Sequence, residues 1–245
     1  MKNRVIIICY KEDFQVSDAF LTSKKHLGRD FEIVIINNAS GKDEVRSMHC
    51  DDKVITIYDF KENYGLKAYQ MLPKSTNDGY TILLNPDCSI SREYIAQLER
   101  SIRAGVADVI VPRLTCKGRT ISPFRRYNIR FDFYIFAFCC VRNDFLERID
   151  EIPNYFFVDG VDYFLSMEFR RLGAFITSLD IELEHDLSVL SNFASLSDFR
   201  KSLIIRSELA LIEKLFGDSN CILFLKVSCL ARMRLVFFLK RKGWL

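Results

Sequence analysis

The sequence predicts an α/β fold, a mainly parallel sheet flanked by helices, and three observations lead to this prediction. Short apolar runs alternate with helical patterns through the first half of the 245-residue chain, which is typical of right-handed βαβ units. The run Arg4–Tyr10 is dominated by β-branched residues, as expected of a strand buried on both faces. Most runs end in polar residues, and parallel sheets bind ligands beyond the carboxyl ends of their strands.

Five strands and four helices are predicted before residue 113. The strands are Arg4–Tyr10, Phe31–Asn37, Lys53–Tyr58, Tyr80–Asn85 and Asp108–Pro112, and the helices are Ser17–Leu27, Lys42–Met48, Leu66–Ser75 and Arg92–Ala104. Each helix lies between two strands, so the strands are expected to run in the same direction.

The rhythm changes after Pro112, where a basic loop precedes an aromatic run. The elements predicted there are a strand Phe131–Val141, a short helix near Asn143–Ile149, a helix Asp159–Leu172 capped by Gly173, a strand Ala174–Leu183 that ends at His185, a loop Asp186–Ser197 and a helix Asp198–Leu215 that ends at Gly217. No repeat, low-complexity tract or clear linker interrupts the sequence. We therefore expect a catalytic-type domain over 1–197 and a helical C-terminal appendage over 198–245.

Composition excludes several classes of protein. The formal net charge is +3, from 35 Lys and Arg against 32 Asp and Glu, which is too balanced for a dedicated nucleic-acid binder. A hydrophobic fraction of 49% is enough for a sizeable core. The longest uncharged aromatic run, Phe133–Val141, is far shorter than the roughly 20 residues of a spanning helix. The eight cysteines form no C-x-x-C pair, so a reduced, cytoplasmic protein is expected.

Basic residues concentrate in two stretches that contain no acid. One is Val109–Phe131, with arginines that include Arg119, Arg125 and Arg126, and the other is 219–245, with six basic residues. Both stretches suit an anionic partner, and the arginine forks of the first suit phosphate, although a solvated loop explains the first stretch equally well. The apolar and basic mixture over 221–245 predicts either an interfacial membrane helix or a face that packs on the domain or on a second subunit.

Five segments in order resemble one enzyme family. They are V-I-I-I-C-Y (5–10), I-I-N-N-A-S (35–40), N-Y-G-L-K-A (63–68), L-L-N-P-D (83–87) and V-D-G-V-D-Y (158–163). Together they resemble a GT-A (Rossmann-like) glycosyltransferase of family 2, over residues 4–185. The N-P-D form is similar to rhamnosyltransferase-like members that build bacterial surface polysaccharides. The resemblance implies inverting transfer from a UDP- or dTDP-sugar to a saccharide or lipid-linked saccharide.

The N-P-D motif is the predicted metal-diphosphate site. The resemblance implies that Asp87 binds Mg²⁺ or Mn²⁺, which bridges the enzyme and the diphosphate leaving group. The family usually has D-x-D, and here Asn85 replaces the first acid. Asn-Pro-Asp is also common as a simple turn after a strand. His185 is a second metal or diphosphate candidate, since some family members place a histidine after the corresponding strand, although a lone histidine is more often structural.

The remaining sugar-donor residues follow the other strands. The set predicted to bind the nucleotide sugar is Tyr10, Glu12, Asn37, Asn63, Gly65, Asn85 and Asp87. Asn37 stands where the family often has an Asp that meets the nucleobase, and an amide oxygen can also accept from a uracil or thymine N3–H. Asn63 and Gly65 precede a predicted helix whose N-terminus would favour an anion. A polar loop and simple turn chemistry explain these residues equally well.

Asp159 and Asp162 are the catalytic candidates, since a spacing of three places them on one helical face. Inverting transfer needs a carboxylate that takes the proton of the acceptor hydroxyl. The family pattern is commonly E-D-x-D with the base second, and Gly160 occupies that position here. We therefore assign Asp159 as base and Asp162 as its support, with helix capping by Asp159 as the alternative. The weakened motifs also leave open a non-catalytic scaffold, whereas a nucleotidyltransferase is excluded because no glycine-rich loop follows the first strand.

Overall fold

The computed structural model describes residues 3–11, 13–50, 53–74, 78–125, 132–154, 156, 160–185 and 198–216. The strands are β1 Asn3–Tyr10, β2 Phe31–Asn38, β3 Glu44–Cys50, β4 Lys53–Phe60, β5 Tyr80–Leu84, β6 Val109–Cys116, β7 Arg119–Ser122, β8 Cys140–Arg142 and β9 Ile176–Glu184. The α-helices are α1 Asp18–His26, α2 Arg92–Ala104, α3 Asn143–Leu146, α4 Val161–Arg171 and α5 Asp198–Phe216. Two 3₁₀ helices span Phe14–Val16 and Gly65–Met71.

All the described strands belong to one sheet, whose centre is parallel. The order is β3-β4-β2-β1-β5-β8-β6-β7, and β9 pairs with β6. β1 runs parallel to both β2 and β5, and β2 runs parallel to β4. β8 is antiparallel to β5 and β6, and β9 is parallel to β6. The α/β prediction is therefore confirmed, with antiparallel additions on either side of the parallel centre.

The central strands β1, β2 and β5 are buried on both faces, as their unbroken apolar runs require. Ile7 of β1 faces an apolar layer that contains Phe20 of α1 and Leu98 of α2. Ile6, its neighbour in sequence, faces the opposite layer with Phe164 of α4. Ser17 and Ser91 cap the N-termini of α1 and α2 with their hydroxyls. The helices thus begin where the sequence supplies a capping residue.

The predicted helix Lys42–Met48 is wrong, because Glu44–Cys50 is the edge strand β3. It pairs antiparallel with β4, from which only two residues separate it. Every residue of β3 is exposed or half-buried, so a helix here would bury no apolar face. A hairpin supplies the backbone hydrogen bonds locally, and Val45 suits a strand.

Two other predictions need correction in the middle of the chain. The expected helix Leu66–Ser75 is the shorter 3₁₀ helix Gly65–Met71, because Leu72 precedes Pro73 and is extended. The expected strand Phe131–Val141 is confined to β8, and residues 132–139 form an irregular aromatic segment with Phe138 at a φ of 67°. Side chains satisfy its backbone: Asp162, Ser166 and Ser122 accept the N–H groups of Phe136, Tyr134 and Ile135. A strand ladder is not needed there.

The last described helix, α5, packs on α4. Lys214 of α5 donates to the Glu168 carboxylate at 3.2 Å, and its ammonium lies 4.5 Å from the centre of the Phe164 ring. Leu211 and Ile212 of α5 are buried. The boundary at 198 remains a prediction, and the basic segment 221–245 lies outside the described residues. Among the helices that are described, none combines the length and the apolar character needed to cross a membrane.

Candidate active site

The carboxyl ends of the parallel strands bring most of the predicted residues to one edge of the sheet. Register aligns Cys9 of β1 with Asn37 of β2, and Asn37 with Asp59 of β4. Tyr10, the last residue of β1, is half exposed and carries the Lys11 ammonium 5.4 Å from its ring centre. Glu12 lies outside the described residues. The edge is where open α/β sheets bind their ligands.

Asn37 belongs to a hydrogen-bonded network with two charged side chains, Asp59 and Arg46. Its Nδ2 donates to Asp59 Oδ1 at 2.8 Å, and Arg46 Nε donates to Asp59 Oδ2 at 2.8 Å. The Asp59 carboxyl is almost fully buried. Burial alone would raise its pKa, but the hydrogen bonds from Arg46 and Asn37 outweigh that effect and hold the pKa below its usual value. Asp59 is therefore a buried, ionised acceptor at neutral pH.

Asn38 and Asn63 build the turn that precedes the 3₁₀ helix. The Asn38 amide is buried, accepts from Tyr64 N at 3.3 Å and donates to Gly65 O at 3.2 Å. Asn63 Oδ1 accepts from Gly65 N at 3.0 Å. The Gly65 N–H lies at the helix N-terminus that was predicted to favour an anion, and it is already bonded to Asn63. Asn63 and Gly65 therefore have a structural role. Their part in binding a sugar donor stays a prediction.

The same 3₁₀ helix is joined to the segment that leads toward residue 159. Lys67 donates to Glu151 and, at 3.1 Å, to Asn154 Oδ1. The Gln70 amide donates to Asp150 O at 3.0 Å and accepts from Ile152 N at 2.8 Å. Hydrogen bonds therefore join the 3₁₀ helix Gly65–Met71 to residues 150–154.

Asp87, Cys88 and His185 form a candidate metal cluster, whose ligand atoms all lie within 4.8 Å of one another. Asn85 O accepts from Cys88 N at 3.1 Å, so the N-P-D motif is a turn that also presents Asp87 to solvent. His185 is buried, with its backbone N bonded to Thr115 O at 2.9 Å and its ring edge-on to Phe138. A carboxylate beside an imidazole fits Mn²⁺ chemically, so the residues fit the implied ion. Burial raises the pKa of the Cys88 thiol.

Asp162, the second of the predicted catalytic pair, has a structural partner. Its Oδ1 accepts from Phe136 N at 2.7 Å, and Ser166 on the next turn of α4 bonds to Tyr134 N at 2.9 Å. Asp162 therefore fixes the aromatic segment 132–139, in which Phe138 contacts His185. Asp159 lies outside the described residues, so its assignment as base stays a prediction.

Gly160 explains why the acidic motif departs from the family pattern. Its φ is 87°, and a Cβ there would lie 2.7 Å from Phe156 Cδ1 and 2.9 Å from Ser207 Cβ. A left-handed residue with no room for a side chain must be glycine. The family's usual position for the base therefore cannot carry one in this chain, because α5 packs against it.

Three side chains of this edge were not singled out from the sequence: Arg46, Asp59 and Cys88. Arg46 lies in a strand that the sequence predicts as a helix, and Asp59 lies in the last two residues of β4, beyond the predicted strand end at Tyr58. Cys88 directly follows the N-P-D motif, so its position was a usable signal. Among the arginines expected to face an acceptor, Arg125 bonds to Asp132 at 2.9 Å, Arg119 begins β7, and Arg126 lies outside the described residues.

Polar groups at the carboxyl edge of a mainly parallel sheet, beside an acid–imidazole pair, are typical of a ligand-binding α/β protein. Residues 4–165 match the family described as Glycosyl transferase family 2. The chain belongs to that family and is a glycosyltransferase, which confirms the resemblance carried by the five motifs. No curated protein matches the chain.

Solved structures agree on the fold. The crystal structure of S. aureus TarS 1-349 has a TM-score of 0.56 at 16% identity, over 90% of this chain and 74% of that one. TarS 1-349 in complex with UDP-GlcNAc has a TM-score of 0.54 at 16% identity, over 90% and 68%. Mannosyltransferase PcManGT from Pyrobaculum calidifontis, with GDP-Man and Mn²⁺, has a TM-score of 0.58 at 12% identity, over 89% and 65%. The likeness establishes the GT-A fold.

Proposed function

We propose that this enzyme transfers a sugar, with inversion, from a UDP- or dTDP-sugar to a saccharide or lipid-linked saccharide in surface polysaccharide synthesis. The observation that carries the proposal is the pairing of the candidate metal cluster with the Asn37 network at one edge of the sheet. Structural neighbours bound to UDP-GlcNAc, or to GDP-Man and Mn²⁺, support a nucleotide-sugar donor and a divalent ion.

In this proposal Asp87 and His185 hold Mg²⁺ or Mn²⁺. A divalent cation there supplies positive charge against the diphosphate leaving group. Asp87 is exposed just after β5, where a diphosphate can approach. His185 is positioned by the hydrogen bond of its backbone N to Thr115 O and by the contact of its ring with Phe138. The buried thiol of Cys88 lies beside both ligands.

The chain's own residues supply binding and proton transfer. We assign Asn37 to the nucleobase, with Tyr10, Glu12, Asn63, Gly65 and Asn85 on the sugar-donor side. We assign Asp159 as the general base that takes the proton of the acceptor hydroxyl. The hydroxyl oxygen bonds to the anomeric carbon as the bond between that carbon and the diphosphate breaks. Asp162 supports this reaction by holding the aromatic segment 132–139 through Phe136.

Charge supports our proposals for the acceptor and for the location in the cell. The basic loop after β6 and the basic segment 221–245 suit a phosphate-bearing, lipid-linked acceptor. We propose a cytoplasmic enzyme held at the inner face of the membrane through 221–245. A homodimer formed through the same segment is the competing arrangement.

The test combines a sugar-donor screen with one substitution. Release of UDP or dTDP from common activated sugars identifies the donor, and calorimetry with and without Mn²⁺ measures nucleotide binding. Asp87→Ala is expected to abolish metal-dependent binding, because it removes the exposed carboxylate of the cluster, while its thermal unfolding stays unchanged. Asp180→Ala is the control, since it removes an exposed carboxylate on β9.

Unchanged, metal-sensitive nucleotide affinity in Asp87→Ala would exclude the assigned metal site. Metal-dependent nucleotide binding by the wild-type chain without turnover on any donor would favour a scaffold subunit. That alternative is kept because Gly160 occupies the usual position of the base.

A further inference from the structure

We infer that Asp59 and Arg46 fix the amide of Asn37 in one orientation and thereby decide which nucleobases the sugar-donor site accepts. The inference rests on the proposed function, in which Asn37 meets the base. The geometry is a chain of two hydrogen bonds: Asn37 Nδ2 to Asp59 Oδ1, and Arg46 Nε to Asp59 Oδ2, each 2.8 Å. Neither Arg46 nor Asp59 is proposed to contact the nucleobase, so both are positioning residues.

The orientation of Asn37 follows from the chemistry of its partner. An ionised carboxylate only accepts hydrogen bonds, and a guanidinium only donates them. Arg46 keeps Asp59 ionised, so the amide must turn its NH₂ toward Asp59. The flipped amide would set two oxygen atoms against each other at a buried site and lose a charge-assisted hydrogen bond.

The fold supplies Arg46 from the edge hairpin. Arg46 of β3 lies opposite Ile57 of β4, and Asp59 is two residues further along β4 on the same face. Diagonal neighbours of this kind are within reach of a long side chain. Arg46 remains 43% exposed, whereas the Asp59 side chain is 1% exposed. The charge pair is thus anchored at the buried end, next to Asn37.

Because the NH₂ group of Asn37 is bound to Asp59, the Asn37 Oδ1 remains as a hydrogen-bond acceptor for a ligand. Asn37 is half-buried at the ligand-binding edge, and among the described residues no hydrogen bond to this oxygen is found. An acceptor there suits a base with an N–H at the centre of its pairing edge: uracil or thymine N3–H, or guanine N1–H. Cytosine and adenine place a lone pair at that point, which would face another lone pair. The site is therefore built for UDP, dTDP or GDP rather than CDP or ADP.

Asp59→Asn provides a test that a merely structural role would not pass. Arg46 would take the amide oxygen of the new side chain, because it only donates, and the new NH₂ would face Asn37. Asn37 would then have to turn its oxygen inward and its own NH₂ toward the base. We expect the preference to reverse: the wild type binds UDP at least about 10-fold more tightly than CDP, and the variant binds CDP more tightly.

The measurement is calorimetric titration of UDP and CDP in saturating Mn²⁺, with thermal unfolding of each variant. Glu182→Gln is the matched control, since it breaks the exposed Arg113–Glu182 pair of 3.0 Å, far along the sheet. It should keep the wild-type ratio. A folded Asp59→Asn variant that retains the UDP preference overturns the inference and leaves the proposed function standing.

The wild type alone keeps the inference testable if Asp59→Asn does not fold. Equal or tighter binding of CDP than of UDP would overturn it, and N3-methyl-UDP, which lacks the N3–H, should bind at least about 10-fold more weakly than UDP. If no nucleoside diphosphate binds the wild type with Mn²⁺, the proposed function fails, and the inference fails with it.

Discussion

Gly160 shows how one residue without a side chain can constrain an active site. It has a left-handed backbone at the N-terminus of α4, and it lies against both Phe156 and Ser207. We expect Gly160→Ala to lose about 1–3 kcal/mol more in the free energy of unfolding than a glycine that has only the backbone constraint. The excess comes from overpacking against the Phe156 ring. Urea unfolding measures it.

Gly173 is the natural control for that substitution. Its φ is 68°, and nothing lies within 4 Å of a Cβ built on it. Gly173→Ala should therefore cost about 1 kcal/mol, the price of the left-handed backbone alone. Equal losses at the two positions would mean that α5 gives way at Ser207 and that the contact does not constrain residue 160.

At this scale the sequence predicts residue types well and partners poorly. Asn37, Asp87 and His185 are predicted site residues because each lies at or just beyond a strand end, and strand ends are readable from apolar runs. Arg46 and Asp59 are not, since their importance lies in a cross-strand contact. Asn63 and Gly65 were correctly placed at a turn, but only coordinates reveal that the Gly65 N–H is already bonded.

Among the elements, α4 and α5 are joined by one buried carboxylate. Glu168 is fully buried on α4, where it accepts from Arg171, from Lys214 of α5 and from Asp150 N. Glu168→Gln should lower the free energy of unfolding by about 2 kcal/mol at pH 7, since a charged buried acceptor is lost. Glu99→Gln is the control and should change it by less than about 0.5 kcal/mol, because its partner Arg103 is largely exposed.

The same carboxylate makes a defined contribution to pH dependence. Burial alone would raise the Glu168 pKa, but hydrogen bonds from Arg171, Asp150 and Lys214 lower it below its usual value. A lowered folded-state pKa gives stability that is present above the unfolded value, near 4.3, and is lost as the pH falls through the folded value. The difference between wild type and Glu168→Gln should therefore shrink below about pH 4. A difference that is constant down to pH 3 would contradict it.

Elements were predictable where burial and periodicity agree. β1, β2 and β5 were found almost to the residue, since they are buried on both faces and bounded by polar residues. β3 was missed because its residues are exposed and its structure depends on pairing with β4. The aromatic segment 132–139 is predicted as a strand from its apolar run. It does not form one, because side chains of α4 and β7 accept its backbone N–H groups, and the sequence does not reveal these distant partners.

For the whole molecule, the untested prediction concerns the basic segment 221–245. Six basic residues near an anionic leaflet contribute about 1 kcal/mol each, so the full chain should sediment with anionic liposomes at low salt. Truncation after Gly217 should release it and leave unfolding of the remainder unchanged. The cut falls beyond α5, which ends at Phe216, so Leu211, Ile212 and Lys214 keep their contacts.

Equal sedimentation of the two proteins, or binding by neither, would assign the segment to packing or to a dimer interface. A concentration-dependent mass in analytical ultracentrifugation then separates those two cases. The choice bears on the acceptor, because only the membrane-held form is brought close to a lipid-linked saccharide.

The edge hairpin β3–β4 has a consequence for the order in which the site assembles. Arg46 and Asp59 are 13 residues apart and Asn37 and Asp59 are 22 apart, so these pairs close short loops at low entropic cost. Asp87 meets His185 only after β9 has docked on β6, across a large part of the chain. Local contacts form faster than distant ones. We therefore expect the Asn37–Asp59–Arg46 network to form early, once the chain through β5 is available, and the candidate metal cluster to form later, when β9 docks.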